Sequence, residues 1–481
     1  MAPVNIGSRL ELMVDDYLIE RMSGGAALRL HHPTPQEAAL VTDKPWEGNM
    51  CGYVTVFQDG KRYRMYYKAW HGVVGKKKFT EPRGISIALA ESEDGIHWKR
   101  RPVKLFKFKG SKNNNIIWRG PGDDSRGVHG FAPFKDANPT SKRNARYKAV
   151  GSGRHAIKGG GLYAMVSPDG VRWSMMQEEP IITEGAFDSQ NLAFWDGVRG
   201  EYRAYVRDFR EGCRGIRTCT SDDFVHWTRP EWLEYPGAPT EQLYTNQIIP
   251  YYRAPHVFVG FPTRYVERRW SPSIEALPEL KHRRLRASAS ERYGAALSDG
   301  LFMTSRDGLS FKRWGEAFLR PGPQMKGNWT YGDNYQNWGI VETESSLPGA
   351  PRELSLYASE GYWRGESTIF RRYTLRVDGF VSVQAPLGGG EVLTRPLVFD
   401  GRKLVLNFSA SAAGSVRVEI LSDDAAPIEG FALADCEEIL GDELKRTVRW
   451  SGSADVSRLA GRPVRLRFVL ADADLYSFRF A

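Results

Sequence analysis

Ser92-Glu-Asp-Gly-Ile-His-Trp98 is matched further along the chain by Ser167-Pro-Asp-Gly-Val-Arg-Trp173, Ser221-Asp-Asp-Phe-Val-His-Trp227 and Ser305-Arg-Asp-Gly-Leu-Ser-Phe311. The shared pattern is Ser-x-Asp-(Gly/Phe)-x-x-aromatic, and such internal repetition points to an architecture built from repeated units. Arg376-Val-Asp-Gly-Phe380 is a weaker fifth copy that keeps Asp-Gly and a following aromatic.

Each copy follows a run rich in strand-forming residues: 85–90, 162–166, 216–220, 301–304 and 370–375. Asp-Gly between such runs signals a hairpin, and the closing Trp or Phe can pack on the sheet. Upstream of each copy lies a further strand pair: 52–57 with 63–67, 130–134 with 147–151, 191–195 with 202–206, 247–252 with 256–261, and 338–341 with 354–358. Four strands per unit, five times over, predict an all-β fold, a five-bladed β-propeller. The copies are unevenly spaced, which variable loops explain. The longest insertion, 267–298, carries Arg268, Arg269, Lys281, Arg283, Arg284, Arg286 and Arg292 and is expected to be a solvated basic excursion rather than a lid.

After residues 388–390 (Gly-Gly-Gly) the texture changes to alternating strands without the Asp-Gly hairpin, at 404–408, 415–420, 447–450, 464–468 and 475–480. Such alternation fits a half-buried antiparallel sheet. The expected division is therefore a propeller over 1–388 and a C-terminal β-sandwich over 391–481. Asp15-Asp-Tyr-Leu-Ile-Glu20 is the expected strand closing the ring within the fifth blade.

The chain has 481 residues, 41% hydrophobic and 26% charged, with 49 Gly, 27 Pro and 14 Trp. That composition excludes disordered, collagen-like and coiled-coil classes. No stretch approaches a membrane span, and the first residues lack the basic and then apolar run of a signal peptide. The chain as given is expected to be cytoplasmic, or secreted or periplasmic if a leader was removed, with no membrane partner. A net charge of +10, without a Lys/Arg block interleaved with aromatics, argues against a nucleic-acid partner. Cys51, Cys213, Cys219 and Cys436 show neither CxxC nor zinc spacing and are expected to be free thiols.

The hairpin copies, clearest in Thr220-Ser-Asp-Asp-Phe-Val-His-Trp-Thr228, resemble those of the five-bladed propeller glycoside hydrolases, a superfamily that includes families 32, 43, 62, 68, 117 and 130. A propeller followed by a sandwich is most similar to family 32. The Trp-x-Asn-Asp-Pro-Asn-Gly, Arg-Asp-Pro and Glu-Cys motifs of that family are absent, so the resemblance is to a divergent member. It implies a glycosidase acting on an oligosaccharide or polysaccharide, with three essential acids near the axis and the base in the first blade. It also allows for calcium in the channel, although no dedicated loop is visible and no cofactor is expected.

Inner strands of a propeller line a central channel. Because the first two strands of a blade are antiparallel, first-strand starts and second-strand ends share one face. First-strand starts supply Trp46, Glu47, Asn49, His129, Asp188, Gln190, Asn246, Gln247, Asp333 and Asn334; second-strand ends supply Lys68, Trp70, Arg154, Arg207, Asp208, Arg264, Glu360 and Trp363. Glycoside hydrolysis needs one carboxylic acid for the leaving oxygen and a second carboxylate as base or nucleophile. By position within the resemblance, Glu47 matches the base or nucleophile, Asp188 a pKa-setting or catalytic acid, and Glu360 a second proton-donor candidate. The remaining residues are expected to bind substrate. Lys68, Arg154, Arg207 and Arg264 form an unusually basic ring that suits an anionic sugar, or phosphate if the enzyme is a phosphorylase. A non-catalytic carbohydrate-binding propeller is the third alternative.

Overall fold

The four full copies of the repeat build one and the same turn. In a computed structural model, which describes residues 2–481 apart from 76–77, 123 and 154–159, Ser92 Oγ accepts the Gly95 N–H at 2.9 Å, and Asp94 Oδ1 accepts those of Ile96 and His97 at 2.8 Å each. Ser167 with Asp169, Ser221 with Asp223, and Ser305 with Asp307 repeat the arrangement. The residue after each Asp is left-handed, at φ between +70° and +80°, which glycine adopts freely. Phe224 pays strain at that position and is held by its ring packing against Phe134 and Tyr202.

These turns sit in antiparallel four-stranded sheets, whose strands follow one another in sequence except in the fifth. The first is Gly52–Asp59, Arg62–Ala69, Ser86–Ser92 and Ile116–Trp118; the second is His129–Lys135, Tyr147–Ser152, Leu162–Ser167 and Ser174–Met175. The third is Leu192–Asp196, Glu201–Arg210, Cys213–Ser221 and Glu231–Trp232; the fourth is Ile249–Tyr251, Ala254–Gly260, Met303–Ser305 and Lys312–Arg313. The fifth joins Val341–Thr343, Glu353–Glu360 and Ile369–Leu375 to Thr34–Val41 from the start of the chain.

Three of the five second strands reach a neighbouring sheet through a buried tyrosine. Tyr66 of the first sheet donates to Gly170 O in the second, Tyr205 of the third to Gly308 O in the fourth, and Tyr357 of the fifth to Gly95 O back in the first. The first strands also meet. Thr55 pairs in parallel with Trp338, Gln190 donates to Thr55 Oγ1 at 3.1 Å, and Gln247 donates to Gln190 Oε1 at 2.7 Å. A Cβ at Gly130 would lie 2.2 Å from Ser189 O, and one at Gly339 1.9 Å from Val56 O, so glycine is required where these strands touch.

The strand expected to close the fifth sheet is not Asp15–Glu20. Ile19–Gly24 instead pairs with Gly390–Thr394, and Thr34–Val41 takes the outer place beside Ile369–Leu375. Pro35 lies in that strand, and an outermost strand tolerates a residue that cannot donate to a ladder. The fifth Asp-Gly copy also differs. Asp378 is buried, accepts from Tyr251 and Ser477 hydroxyls and pairs with Arg253, so it fastens the fifth sheet to the C-terminal module rather than capping a turn.

That module is a ten-stranded sheet rather than a unit confined to 391–481. Val4–Gly7, Glu11–Leu12, Ile19–Gly24, Ala27–Leu30 and Val381–Ala385 all belong to it, so the expected boundary splits it. Leu404–Ser422 and Val464–Phe480 are single long strands. Their register shifts between Ala410 and Ser415, which explains why the sequence reads each as two. The expected strand at 447–450 is instead Asp442–Thr447.

The 267–298 insertion is built, not merely solvated. It contains helices Pro272–Glu275, Leu280–Ala289 and Glu291–Ala295, and Arg283 and Arg286 are buried. Arg286 donates to Thr330 Oγ1 at 2.7 Å and to Tyr331 O at 3.1 Å, while Arg283 donates to the carbonyls of Pro278 and Trp329. The helix is docked by its arginines on the 328–331 segment. All four cysteines are free thiols. Among the described residues no helix is long and apolar enough to cross a membrane, and no cluster of three or more His, Cys, Asp or Glu could hold a metal.

Candidate functional site

Three successive sheets bring polar ends together. His129 opens the second sheet, Lys68 lies near the end of the Arg62–Ala69 strand, Asp188 precedes Leu192–Asp196, and Arg207 lies in Glu201–Arg210. His129 Nε2 stands 2.9 Å from Asp188 Oδ1, and the Asp188 side chain keeps 30% of its surface exposed. The Lys68 ammonium lies 4.0 Å from the centre of the Trp70 ring and 4.3 Å from that of Tyr53. Tyr53 and Trp70 both meet the His129 ring edge-on, at 5.4 and 6.4 Å. Arg207 is fixed by donating Nε–H to Ala186 O at 2.9 Å, and its guanidinium lies 5.3 Å from the Tyr244 ring.

The charges of this group are mutually adjusted. Burial alone would raise Asp188, but His129, Arg207 and Lys68 outweigh it and hold the carboxyl down at about 2. Burial pushes Lys68 down from 10.5 to about 7, only partly opposed by Asp188, Cys51 and Glu81. Burial also lowers His129, so its imidazole is neutral at neutral pH. Among the described residues neither Lys68 nor Arg207 has a carboxylate within ion-pair distance.

The other expected acids are placed differently. Glu47 is wholly enclosed: Arg100 donates Nε–H at 2.6 Å and Nη2–H at 3.0 Å, the Lys44 N–H donates at 3.0 Å, and Tyr67 donates its hydroxyl. Neither oxygen is available to a substrate. Glu360 accepts from Arg371 at 2.7 Å and from Tyr373 at 2.9 Å, and Asp208 pairs with Arg217 at 2.9 Å. Asp333 is buried; burial raises it well above the usual carboxylate range, and its Oδ2 has no partner. Three expected carboxylates are therefore held by cations and one is buried with its carboxyl raised by burial, leaving Asp188.

Arg264, expected in the basic ring, is consumed by Asp299 at 2.7 Å and Glu241 at 2.8 Å. Arg154 lies outside the described residues. Gln190, Gln247 and Asn246 are buried and spend their amides on the meeting of the inner strands, and Asn334, at φ +58°, donates to Ser298 O. Asn49 ties Gly72 to Gly365, Trp363 is buried against Arg286 and Tyr293, and Trp46 donates to Asn115 at 2.6 Å.

Of the tyrosines around this group, the rule of strand ends reaches Tyr244, Tyr335 and Tyr362 from sequence but misses Tyr53 and Tyr331. Tyr53, Tyr244, Tyr331, Tyr335 and Tyr362 form one cluster, joined by a 3.2 Å contact between the Tyr244 and Tyr331 hydroxyls. Arg214 stands over Tyr244 and Tyr265, and Arg292 of the insertion over Tyr293 and Tyr331. A wider geometric rule would have found part of this set, because third-strand starts and fourth-strand ends share the same face. Arg214 at the start of Cys213–Ser221 obeys that rule, as do Arg83 and Arg119 in the first sheet.

No family model matches the chain, and no curated protein matches it by sequence. Solved structures resemble it distantly. An N-acetylgalactosamine deacetylase from F. plautii, solved with blood group B trisaccharide, shares 14% identity over 73% of this chain and 94% of its own, with a TM-score of 0.43. The glycoside hydrolase family 32 β-fructofuranosidase of Bombyx mori shares 9% identity over 94% of both chains, with a TM-score of 0.39. A family 130 structure, described with hydrolases that target β-1,2 mannosidic linkages in Candida mannan, shares 13% over 71% of this chain and 94% of its own, with a TM-score of 0.38.

Proposed function

We propose that the chain is a carbohydrate-active enzyme that cleaves a glycosidic bond at Asp188, on a five-bladed β-propeller completed by Thr34–Val41 and followed by a β-sandwich module. The ring is supported by the tyrosine links, which lead from the fifth sheet back to the first. The observation that carries the function is the Asp188 group: a partly exposed carboxylate held ionised by His129, Arg207 and Lys68, beside stackable Tyr53 and Trp70.

An ionised Asp188 cannot be the proton donor at neutral pH. It suits the other role, a fixed negative charge beside an anomeric carbon where positive charge develops. Lys68, lowered to about 7, is the neighbouring group able to give or take a proton near neutrality. Two titrating groups pushed apart in this way divide the acid and base work between them. His129 orients Asp188.

A phosphorolytic version has one specific observation in its favour. Among the mouth carboxylates expected from sequence only Asp188 is both exposed and unpaired with an arginine, and Lys68 and Arg207 are cations without a carboxylate partner, as a phosphate acceptor would require. A screen of aryl glycosides and oligosaccharides with and without phosphate, followed by NMR, separates the two: hydrolysis releases free sugar, phosphorolysis a sugar 1-phosphate. Turnover of a confirmed substrate that survives Asp188→Asn sinks both versions.

A further inference from the structure

A cavity opens beside His129, with a volume of about 780 Å³. Its wall carries Arg83, Lys107, Lys109 and Arg119, and its aromatic surfaces include Trp46 and Phe108, packed edge to face at 6.3 Å, and Tyr163. The acids on the same wall are Glu81, which is exposed, and Asp124, which is already paired with Arg126.

Arg83 and Arg119 are half-buried yet lack carboxylate partners among the described residues. Arg83 donates Nη1–H to Pro45 O at 2.8 Å, and its Nε is buried without a partner. Arg119 donates to Ser86 Oγ at 3.1 Å and to Lys107 O at 3.0 Å. Both guanidiniums are thus fixed by neutral groups, which orient them without neutralising them. Burial lowers both below the ordinary arginine value, as expected of cations without a counterion. They differ from Arg100 and Arg264, which are paired with Glu47 and Asp299, and, unlike Arg283 and Arg286, which are packed under the insertion on backbone and hydroxyl acceptors, they line an open cavity. Lys107 and Lys109 add mobile charge, and Phe108 lies under Arg83 and Lys109 at 5.8 Å each.

We propose that this cavity is a subsite for an acidic sugar residue, a uronate or a sulfate ester, adjoining the bond cleaved at Asp188. His129 belongs to both walls, so a residue next to the one over Asp188 falls among these cations. The arginine forks take the planar or tetrahedral anion, while Trp46 and Phe108 take the ring faces. The substrate class rests on the glycosidic reading of Asp188; the subsite itself does not need turnover to be seen.

The test is calorimetric binding of four probes to the full chain: a tetragalacturonate, a chondroitin sulfate tetrasaccharide, cellotetraose and inorganic phosphate. The expected result is binding of one acidic tetrasaccharide, uronate or sulfated, weakened about ten- to a hundredfold in the Arg83→Gln/Arg119→Gln double variant. Weak cellotetraose binding should be unchanged, and the melting temperature should stay within a few degrees. A Lys107→Gln/Lys109→Gln variant, on exposed positions that carry no fold, should weaken the same probe more modestly and make it less salt-sensitive. The proposal is overturned if neither acidic tetrasaccharide binds, if phosphate alone binds, or if both variants bind the acidic probe as the native chain does. Asp188→Asn serves as the control: it should keep the acidic probe bound, so a failure of the catalytic reading shows as lost binding or retained turnover in that variant alone.

Discussion

Replacing Lys68 by methionine should stabilise this protein while abolishing its activity. The ammonium is almost wholly enclosed and has only aromatic faces at close range. Its drop from 10.5 to about 7 measures how much the folded state disfavours the charge. At about 1.4 kcal/mol per tenfold step, the charged form costs about 5 kcal/mol relative to the neutral amine. The folded chain releases this proton near pH 7, whereas the unfolded chain keeps it until about 10.5. Between those values the unfolded state binds more protons, so native stability climbs as pH rises. Lys68→Met keeps the stem and drops the charge, so it should exceed the native chain by about 2 to 5 kcal/mol at pH 6. The lower figure allows for the support Asp188 loses. The difference should shrink steadily and vanish towards pH 10.5. Urea unfolding followed by tryptophan fluorescence at pH 6, 7.5 and 9 reads it directly. A variant that is less stable at pH 6, or whose advantage does not change with pH, refutes the argument.

Asp188→Asn should lower kcat/KM on a confirmed substrate about a thousandfold, with a modest fall in melting temperature at pH 7 as the stability from the depressed carboxyl is lost. It should also flatten the acid limb of the stability curve, because a carboxyl depressed from 3.8 to about 2 gives stability above pH 4 that is lost as pH falls towards 2. Glu47→Gln should cost about 3 kcal/mol in urea unfolding, since it leaves the Arg100 guanidinium with only Asp43, at 3.5 Å, as a carboxylate partner; lost turnover with full stability would return Glu47 to the chemistry. Asp333→Asn should be nearly neutral at pH 7 by the same assay, because burial already disfavours the charged form of the carboxyl it replaces, and a large loss would show that it is charged. Trypsin should cut slowly within 267–298 despite its seven basic residues and at least tenfold faster in Arg286→Met, as read by mass spectrometry of the fragments; equal rates would mean that the helix is not docked.

The sheets were legible because their signal is local. A Ser-x-Asp-Gly turn needs only neighbouring backbone N–H groups, and the same residues recur wherever the turn does. The site was legible through a rule of direction alone, and that rule brought His129, Lys68, Asp188 and Arg207 together from separate strands. Which of its acids stay free was not legible. Glu47 is neutralised by Arg100, 53 residues away, and Arg264 by Asp299 and Glu241, and no short-range pattern announces such partners. The outer strand Thr34–Val41 was hidden for a related reason. It is mostly exposed and contains Pro35, so it lacks the alternation by which a half-buried strand is recognised.

The insertion joins these two lessons. Its arginines look like solvated charge in sequence, yet Arg286 binds the 330–331 backbone and side chain, and Arg292 stands over Tyr293 and Tyr331. Tyr331 touches Tyr244 through their hydroxyls, and the Tyr244 ring carries Arg207, one of the charges that keep Asp188 ionised. The helix Leu280–Ala289 therefore sits at the far end of a chain of contacts leading to Arg207, whose charge acts on Asp188. Burying Arg286 costs solvation, and its value is lowered to about 10 by that burial. A fold that needed only to fill space there could use an apolar residue. Spending a buried cation on three backbone and hydroxyl acceptors fixes the position of the 328–331 segment, and through Tyr331 and Tyr244 it fixes the wall against which Arg207 is held.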